Sequence, residues 1–140
     1  MPYWLLKSEP SAWSWKQQMQ KGVEPWSGVR NYQAANNMKA MMVGDLGFFY
    51  HSNEGKNIVG IVSIVKPYYP DPTDETGRFG MVDVKALKPL PLPVTLAQIK
   101  ETKALEDMAL LRQSRLSVSP VTQEEWDVIC GLGGLTNQAQ

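Results

Sequence analysis

The spacing of apolar side chains along the chain predicts a set of strands. Residues 46–51 show the period-two pattern of a strand with two distinguishable faces: Leu46, Phe48 and Tyr50 alternate with Gly47, Phe49 and His51. Residues 58–65 are apolar at almost every position, as in a strand that is covered on both sides. Residues 3–6 and 81–87 also have strand character. The short polar segment 52–56 predicts a hairpin between the strands at 46–51 and 58–65.

Polar caps predict where helices begin. A Ser or Thr followed three residues later by Gln or Glu forms a capping box, in which each partner satisfies a backbone N–H of the other. This pattern occurs at residues 14–17, 95–98 and 122–125, so we expect a short helix to follow each start. The first should run over 15–21 and end at a glycine. A fourth helix is expected over 32–42.

The remaining segments are rich in turn residues and set the expected fold class. Residues 23–31 and 68–77 are expected to be loops because they combine Pro, Gly and Asp. Hairpins without the spacing of parallel βαβ units predict an α+β fold, with a mainly antiparallel, bent or barrel-like sheet and short helices around it. No repeat or linker divides residues 1–135, which we expect to form a single domain. Residues 136–140 are expected to be a flexible tail.

The charge balance narrows the possible partners. The 140 residues contain 14 Lys plus Arg and 14 Asp plus Glu, so the formal net charge is zero. Without a broad positive field, tight non-specific binding to duplex nucleic acid is not expected. A protein that binds one extruded base can instead obtain its energy from stacking and from hydrogen bonds to the base edge. Its binding should then depend only weakly on salt.

Cysteine usage and hydropathy indicate where the protein resides. The single Cys130 has no partner for an internal disulfide, and the start of the chain lacks the pattern of a signal peptide. The longest apolar run, 58–65, is far shorter than the roughly 20 residues that span a bilayer. We therefore expect a cytoplasmic protein with no membrane contact, and a monomer.

The residue inventory argues against most catalytic chemistry. With one His and one Cys, the chain is poor in the groups that activate a nucleophile or hold zinc. The glycines at 131–134 lack the spacing and the following Lys of a phosphate-binding loop. We expect no metal, no cofactor and no catalysis. The alternative is a small enzyme that acts on a nucleoside with His51 as acid or base, although His51 also suits a hydrogen-bonding role at a strand end.

Residues suited to a flat ligand are more prominent. The aromatic candidates for stacking are Trp26, Tyr32, Phe48, Tyr50 and Phe79. The polar candidates for the ligand's edge are Ser8, Asn31, His51, Ser52 and Asn53. Phe48 and Tyr50 more often fill a core, whereas Trp26 lies in a loop and could be either core or pocket wall.

Two further features allow two interpretations each. Arg30 could hold a phosphate or carboxylate, or it could pair with a buried acid such as Glu9. The methionines in residues 38–42 favour packing against the sheet over a protein-binding surface.

Several stretches together resemble the EVE domain family. They run in family order from near the N-terminus to the last expected helix and cover nearly the whole chain. The matching stretches are residues 4–10 (WLLKSEP), 26–34 (WSGVRNYQA), 48–53 (FFYHSN), 69–71 (YPD), 82–84 (VDV), 115–118 (RLSV) and 122–125 (TQEE).

The resemblance implies a PUA-like fold, related to the YTH domains that bind methylated adenine in RNA. It also implies a non-catalytic domain that binds a modified nucleobase, chiefly modified cytosine in DNA, with RNA as the other candidate. The family often has Arg at the position of Ala35 and Trp at that of Phe79, so phosphate contact and stacking should be weaker here. The ligand-binding residues carried over are Ser8, Glu9, Trp26, Gly28, Val29, Arg30, Asn31, His51, Ser52, Asn53, Phe79 and Ser117.

These observations predict one mechanism. A base leaves its stack, slides against Trp26 and presents its edge to Ser8, Asn31 and nearby backbone groups. Stacking of this kind contributes roughly 1–3 kcal/mol per base. We expect Trp26→Ala to remove binding and to leave the fold intact.

Overall fold

The computed structural model describes residues 2–135, in which six strands form one sheet. The strands are β1 (Tyr3–Ser8), β2 (Val23–Pro25), β3 (Leu46–His51), β4 (Asn57–Pro70), β5 (Gly80–Thr95) and β6 (Val118–Val121). The α-helices are α1 (Trp15–Lys21), α2 (Tyr32–Lys39), α3 (Leu96–Glu101), α4 (Ala109–Arg112) and α5 (Gln123–Leu132), and a 3₁₀ turn covers Lys103–Leu105. The expected tail, residues 136–140, lies outside the described residues.

The sheet has the order β2-β5-β4-β3-β1-β6 and confirms the α+β class. The pair β1–β3 is parallel and the other four pairs are antiparallel, so the sheet is mixed and mainly antiparallel as predicted. Barrel closure is the part of the prediction that differs. Within residues 2–135 the short strands β2 and β6 are the sheet edges and do not pair with each other. The long β4–β5 hairpin shifts register at four places, and such bulges bend a sheet without closing it.

The predicted helix starts are confirmed at all three capping boxes. Ser14, Thr95 and Thr122 each accept a hydrogen bond from the backbone N–H three residues on, and the side chain of the Gln or Glu there accepts one from the backbone of the cap. Helix α2 is shorter than expected, because it ends at Lys39 instead of residue 42.

The strand predictions err where tertiary pairing overrides local signals. Strand β4 continues to Pro70, into a segment expected to be a loop, because Tyr69 and Pro70 pair with the start of β5. Strand β2 was likewise expected to be loop, but its three residues pair with β5. Strand β6 contains Pro120 and pairs with β1.

Strand β5 continues well past the predicted residues 81–87 and passes through three prolines. Pro89, Pro91 and Pro93 alternate along the strand and are all exposed. Beyond Lys85, β5 has lost its β2 neighbour and pairs on one side only, with β4. On a strand that pairs on one side only, proline is tolerated where its missing N–H would have faced away from the partner strand.

Each face of the sheet supports a separate core. On one face, Tyr3 and Phe48 stack on Trp126 of α5 with ring centroids 4.3 and 4.0 Å apart, beneath the helices that follow β5. On the other face, Trp4 and Phe49 pack beneath α1 and α2. This second face carries the residues that the sequence singled out around Trp26.

Candidate ligand-binding site

A cavity of about 330 Å³ opens between the end of β1 and the loop that follows β2. Four segments form its walls: the end of β1, the turn before α1, the segment from β2 into the 26–30 loop, and the residue before β6. The lining residues are Lys7, Ser8, Glu9, Ala12, Trp13, Glu24, Pro25, Trp26, Ser27, Gly28, Val29, Arg30 and Ser117. Seven of the twelve predicted site residues are therefore brought together here.

The loop that forms one wall is held by a single carboxylate that the sequence prediction missed. Asp71 is buried and accepts the Gly28 backbone N–H at 2.8 Å and the Arg30 guanidinium at 3.2 Å. It also accepts the backbone N–H and hydroxyl of Thr73. Gly28 has φ of +85°, a conformation that L side chains rarely adopt. The carboxylate thus ties the cavity loop to the turn between β4 and β5.

These bonds set the ionisation of the carboxylate. Burial by itself raises the pKa of Asp71, but hydrogen bonds from Thr73, Gly28 and Arg30 outweigh it and lower the pKa to about 2. Arg30 was expected to hold a phosphate or to pair with a buried Glu9. Its partner is Asp71, and Glu9 is exposed.

Trp26 is both a wall of the cavity and part of the core. Its side chain is only 8% exposed, its ring meets Phe49 edge-on at 5.6 Å, and its backbone N–H donates to the Val82 carbonyl at 2.7 Å. Both interpretations of this residue therefore apply, since the same ring closes the cavity on one side and packs on the sheet on the other. The expectation that Trp26→Ala leaves the fold intact does not fit this burial.

Trp13 also lines the cavity and was not predicted. Its indole N–H donates to Gln18 of α1 at 2.9 Å, and Lys21 lies 5.8 Å from its ring centroid. Its backbone carbonyl accepts the hydroxyl of Ser8, so that hydroxyl is engaged within the protein. A sequence signal did exist, because Trp13 directly precedes the α1 cap and lies outside any periodic apolar face.

A cation lies at the cavity wall, on β1. The Lys7 ammonium donates to the Ser114 carbonyl at 2.7 Å, and the Lys7 backbone N–H donates to the Ser117 carbonyl at 2.9 Å. Burial lowers the pKa of Lys7. These two bonds join β1 to the segment before β6 and place Ser117, as predicted, on the cavity.

Five predicted residues do not line this cavity. Asn31 caps α2 by accepting the Ala34 backbone N–H, and it borders a second cavity of about 310 Å³ with Gln33 and Arg115. Phe79 lies against Tyr32. The other three residues, His51, Ser52 and Asn53, lie at and just after the end of β3.

The residues at the end of β3 lie beside the cavity but face other partners. His51 Nε2 accepts the Trp15 backbone N–H at 3.0 Å, at the start of α1. Burial lowers the pKa of His51, which suits a neutral acceptor. The Ser52 backbone N–H donates to the Ser8 carbonyl at 2.9 Å. In this arrangement His51 positions α1, which is the structural role that the sequence left open beside an acid–base role.

The cavity can stack and hydrogen-bond a planar ligand. It combines two indoles with hydroxyl and backbone groups, and it opens to solvent. Among residues 2–135, no three His, Cys, Asp or Glu side chains cluster as a metal site would require. In the same part of the chain, no helix has the length and apolar character that crossing a membrane takes. The cytoplasmic location and the monomeric state stay predictions.

Known proteins resemble this chain in sequence and in fold. A family model of the EVE domain matches residues 2–132. Thymocyte nuclear protein 1 of Gallus gallus is 36% identical and aligns with 93% of this chain and 68% of its own length. The crystal structure of a protein from Agrobacterium tumefaciens is 50% identical, with a TM-score of 0.98 over 100% of this chain and 98% of that chain.

Two further solved structures are similar at lower sequence identity. The human THYN1 protein, solved in complex with DNA that contains 5-methylcytosine, is 33% identical with a TM-score of 0.87, over 97% of this chain and 99% of that one. ASCH from Zymomonas mobilis is 13% identical with a TM-score of 0.59, over 93% and 94%, which shows the fold alone. The fold is PUA-like, as predicted.

Proposed function

The chain belongs to the EVE domain family, and on that premise we propose that it is a non-catalytic domain that binds a modified cytosine of DNA in the Trp13–Trp26 cavity. The observation that carries this proposal is the cavity itself, which has two indoles in its lining and a volume of about 330 Å³. Small-ligand sites are typically roughly 300–1,000 Å³ and mostly apolar with a few placed polar groups.

The relatives support a base as the ligand. The human THYN1 protein, whose solved chain shares this fold over 99% of its residues, was solved in complex with 5-methylcytosine containing DNA. A base inside a duplex cannot enter such a cavity, so it must first leave its stack. Unstacking and unpairing the base cost a few kcal/mol, and this cost is lowest in a single strand. Single strands are therefore the ligands to use in binding assays.

The test is a titration monitored by tryptophan fluorescence, since two of the five tryptophans line the cavity. Single-stranded DNA carrying cytosine, 5-methylcytosine or 5-hydroxymethylcytosine is compared, with the matching RNA as a fourth ligand. We expect the modified DNA strands to quench fluorescence at lower concentration than the unmodified strand. Equal affinity for all strands would contradict the proposed ligand.

A blocking variant connects binding to the cavity. Ala12 is exposed and lines the cavity, so Ala12→Phe should fill it without disturbing the core. The affinity for the modified strand should fall at least about tenfold, which corresponds to about 1.4 kcal/mol of lost stacking. Ala104 is also exposed but lies in the 3₁₀ turn near α3, so Ala104→Phe is the control and should bind like the wild type.

A further inference from the structure

Tyr32 and Phe79 form an aromatic pair next to Arg30, which lines the Trp13–Trp26 cavity. Tyr32, the first residue of α2, is 61% exposed although it is aromatic. Its ring lies 4.9 Å from that of Phe79, at an interplanar angle of 37°. The backbone of Phe79 is fixed by a hydrogen bond, since its N–H donates to the Asp74 carboxylate at 2.7 Å. The pair presents one ring to solvent and fixes the other.

Arg30 links this pair to the cavity. Its guanidinium carbon lies 5.9 Å from the centroid of the Phe79 ring, and the residue also lines the cavity. Its Nη1 donates to Asp71 and the Val29 carbonyl, and its Nη2 donates to Thr73. A guanidinium has five N–H donors, so within the described residues Nε and one Nη2 hydrogen are left for another acceptor.

Two of the carboxylates near the pair already have partners within the protein, whereas Arg78, directly before Phe79, is exposed. Asp71 is paired with Arg30, and Asp74 accepts from the backbone and hydroxyl of Thr76 and from Phe79. Glu75 is exposed in the same turn. At the far end of α2, Lys39 lies 5.6 Å from the Tyr68 ring, and the Tyr68 hydroxyl accepts the N–H of Gly80 beside Phe79. Tyr68 and Lys39 thus form a second contact between a ring and a cation, which the Gly80 backbone joins to Phe79.

Resting on the proposed function, we propose that Tyr32, Phe79 and Arg30 form a second subsite, for the nucleotide next to the extruded base on the same strand. The exposed Tyr32 ring stacks on the neighbouring base, and the remaining Arg30 donors bind the phosphate between the two nucleotides. Stacking of a base on an aromatic side chain is tolerant of sequence because every base has a π-face. This subsite therefore adds affinity and does not select the modification.

The test uses abasic sites, which remove a base and keep the phosphates. Two single strands are compared, each with one 5-methylcytosine, the first with intact neighbours and the second with abasic sites on both sides. Wild-type protein should bind the intact strand roughly 5- to 150-fold more tightly, the range that follows from 1–3 kcal/mol of stacking. Tyr32→Ala should bind the two strands equally, and Tyr32→Phe should keep the preference.

A matched control and the opposing results complete the design. Leu92 on β5 is also 61% exposed, and Leu92→Ala should keep the full preference for the intact strand. If Tyr32→Ala keeps it too, the subsite is wrong. If instead the wild type prefers the intact strand but does not distinguish methylated from unmethylated cytosine, the proposed function fails while the subsite stands.

Discussion

Asp71 is the residue on which the architecture of the cavity loop depends most. Its carboxylate holds the Gly28 backbone, the Arg30 side chain and the turn at Thr73. We expect Asp71→Asn to lower the free energy of unfolding by about 2 kcal/mol at pH 7, since each unit of pKa shift corresponds to about 1.4 kcal/mol. Urea denaturation of the two proteins measures this difference.

The same residue predicts a pH dependence. The pKa of Asp71 is about 2 in the folded protein, against an ordinary value of 3.8, so the folded state binds the proton less readily than the unfolded chain. The stabilisation is therefore complete above about pH 4 and is lost as the pH falls from about 4 to 2. The difference between wild type and Asp71→Asn should vanish over that interval. Asp107→Asn, which breaks an exposed ion pair with Arg112, should change stability by less than about 0.5 kcal/mol throughout.

Trp26 shows how far a single residue can be interpreted from sequence. Its place in a loop with Pro25 and Gly28 left core and cavity wall both open, and the ring is part of both. Its contact with Phe49 could not be predicted, because it depends on β3 lying under the loop. Lys7 and Asp71 were missed for the same reason: their partners are 107 and 41–43 residues away in sequence, and only the fold brings them together.

This burial gives a prediction opposite to the one that the sequence suggested. Trp26→Ala removes a large side chain that is only 8% exposed, so it should cost about 3–5 kcal/mol of stability. Thermal unfolding should show a lower midpoint even without ligand. An unchanged midpoint would mean that the loop collapses over the vacated space, and Trp26→Ala would then serve as a clean binding variant.

Helix α1 is seated on the sheet through one close approach of Trp15 to strand β4. A Cβ at Gly60 would overlap the Trp15 indole, so only glycine allows the helix to lie at this distance. Gly60→Ala should force Trp15 outward and cost about 1–3 kcal/mol, as overpacking usually does. Because Trp13 precedes the same helix and lines the cavity, affinity for the modified strand should fall as well.

The control for this change is a glycine with room around it. At Gly131 in α5 a Cβ would meet nothing within 4 Å, so Gly131→Ala should stabilise the protein by roughly 0.5–1 kcal/mol through helix propensity. Denaturation midpoints of the two variants should move in opposite directions. If Gly60→Ala is as stable as the wild type, the seating of α1 on β4 is not rigid.

The elements differ in how well their sequences specify them. Capping boxes are local, since both partners lie within four residues, and all three were predicted correctly. Strand β2 has three residues and strand β6 has four. Each forms because a longer strand hydrogen-bonds with it: β5 pairs with β2, and β1 pairs with β6. Their own sequences contain Pro25 and Pro120, which locally favour a turn. Short edge strands of this kind are set by tertiary pairing, which one sequence does not display.

The two faces of the sheet have different roles, which makes the proposed binding of a strand compatible with a net charge of zero. The face beneath α3 and α5 packs into a hydrophobic core around Trp126. The opposite face combines core and cavity, because Trp26 serves both. Most cations near the cavity have partners: Lys21 pairs with Glu24, and Lys7 donates to a carbonyl. Arg30 pairs with Asp71 but keeps two N–H donors, so only a few phosphate contacts are expected.

That arrangement predicts a shallow salt dependence for binding of a single strand. Two or three phosphate contacts give a slope of log affinity against log salt of about −1.4 to −2.1, since each contact contributes roughly −0.7 for single strands. Fluorescence titrations from low to high salt measure the slope. Lys39 contacts the Tyr68 ring, and the Tyr68 hydroxyl bonds the backbone beside Phe79, so a strand that extends past the Tyr32–Phe79 subsite would reach this ammonium. Lys39→Gln should therefore reduce the magnitude of the slope by about 0.7, whereas Lys103→Gln in the 3₁₀ turn near α3 should leave it unchanged. A slope steeper than about −4 would mean that backbone charge dominates affinity, contrary to the stacking mechanism that the cavity supports.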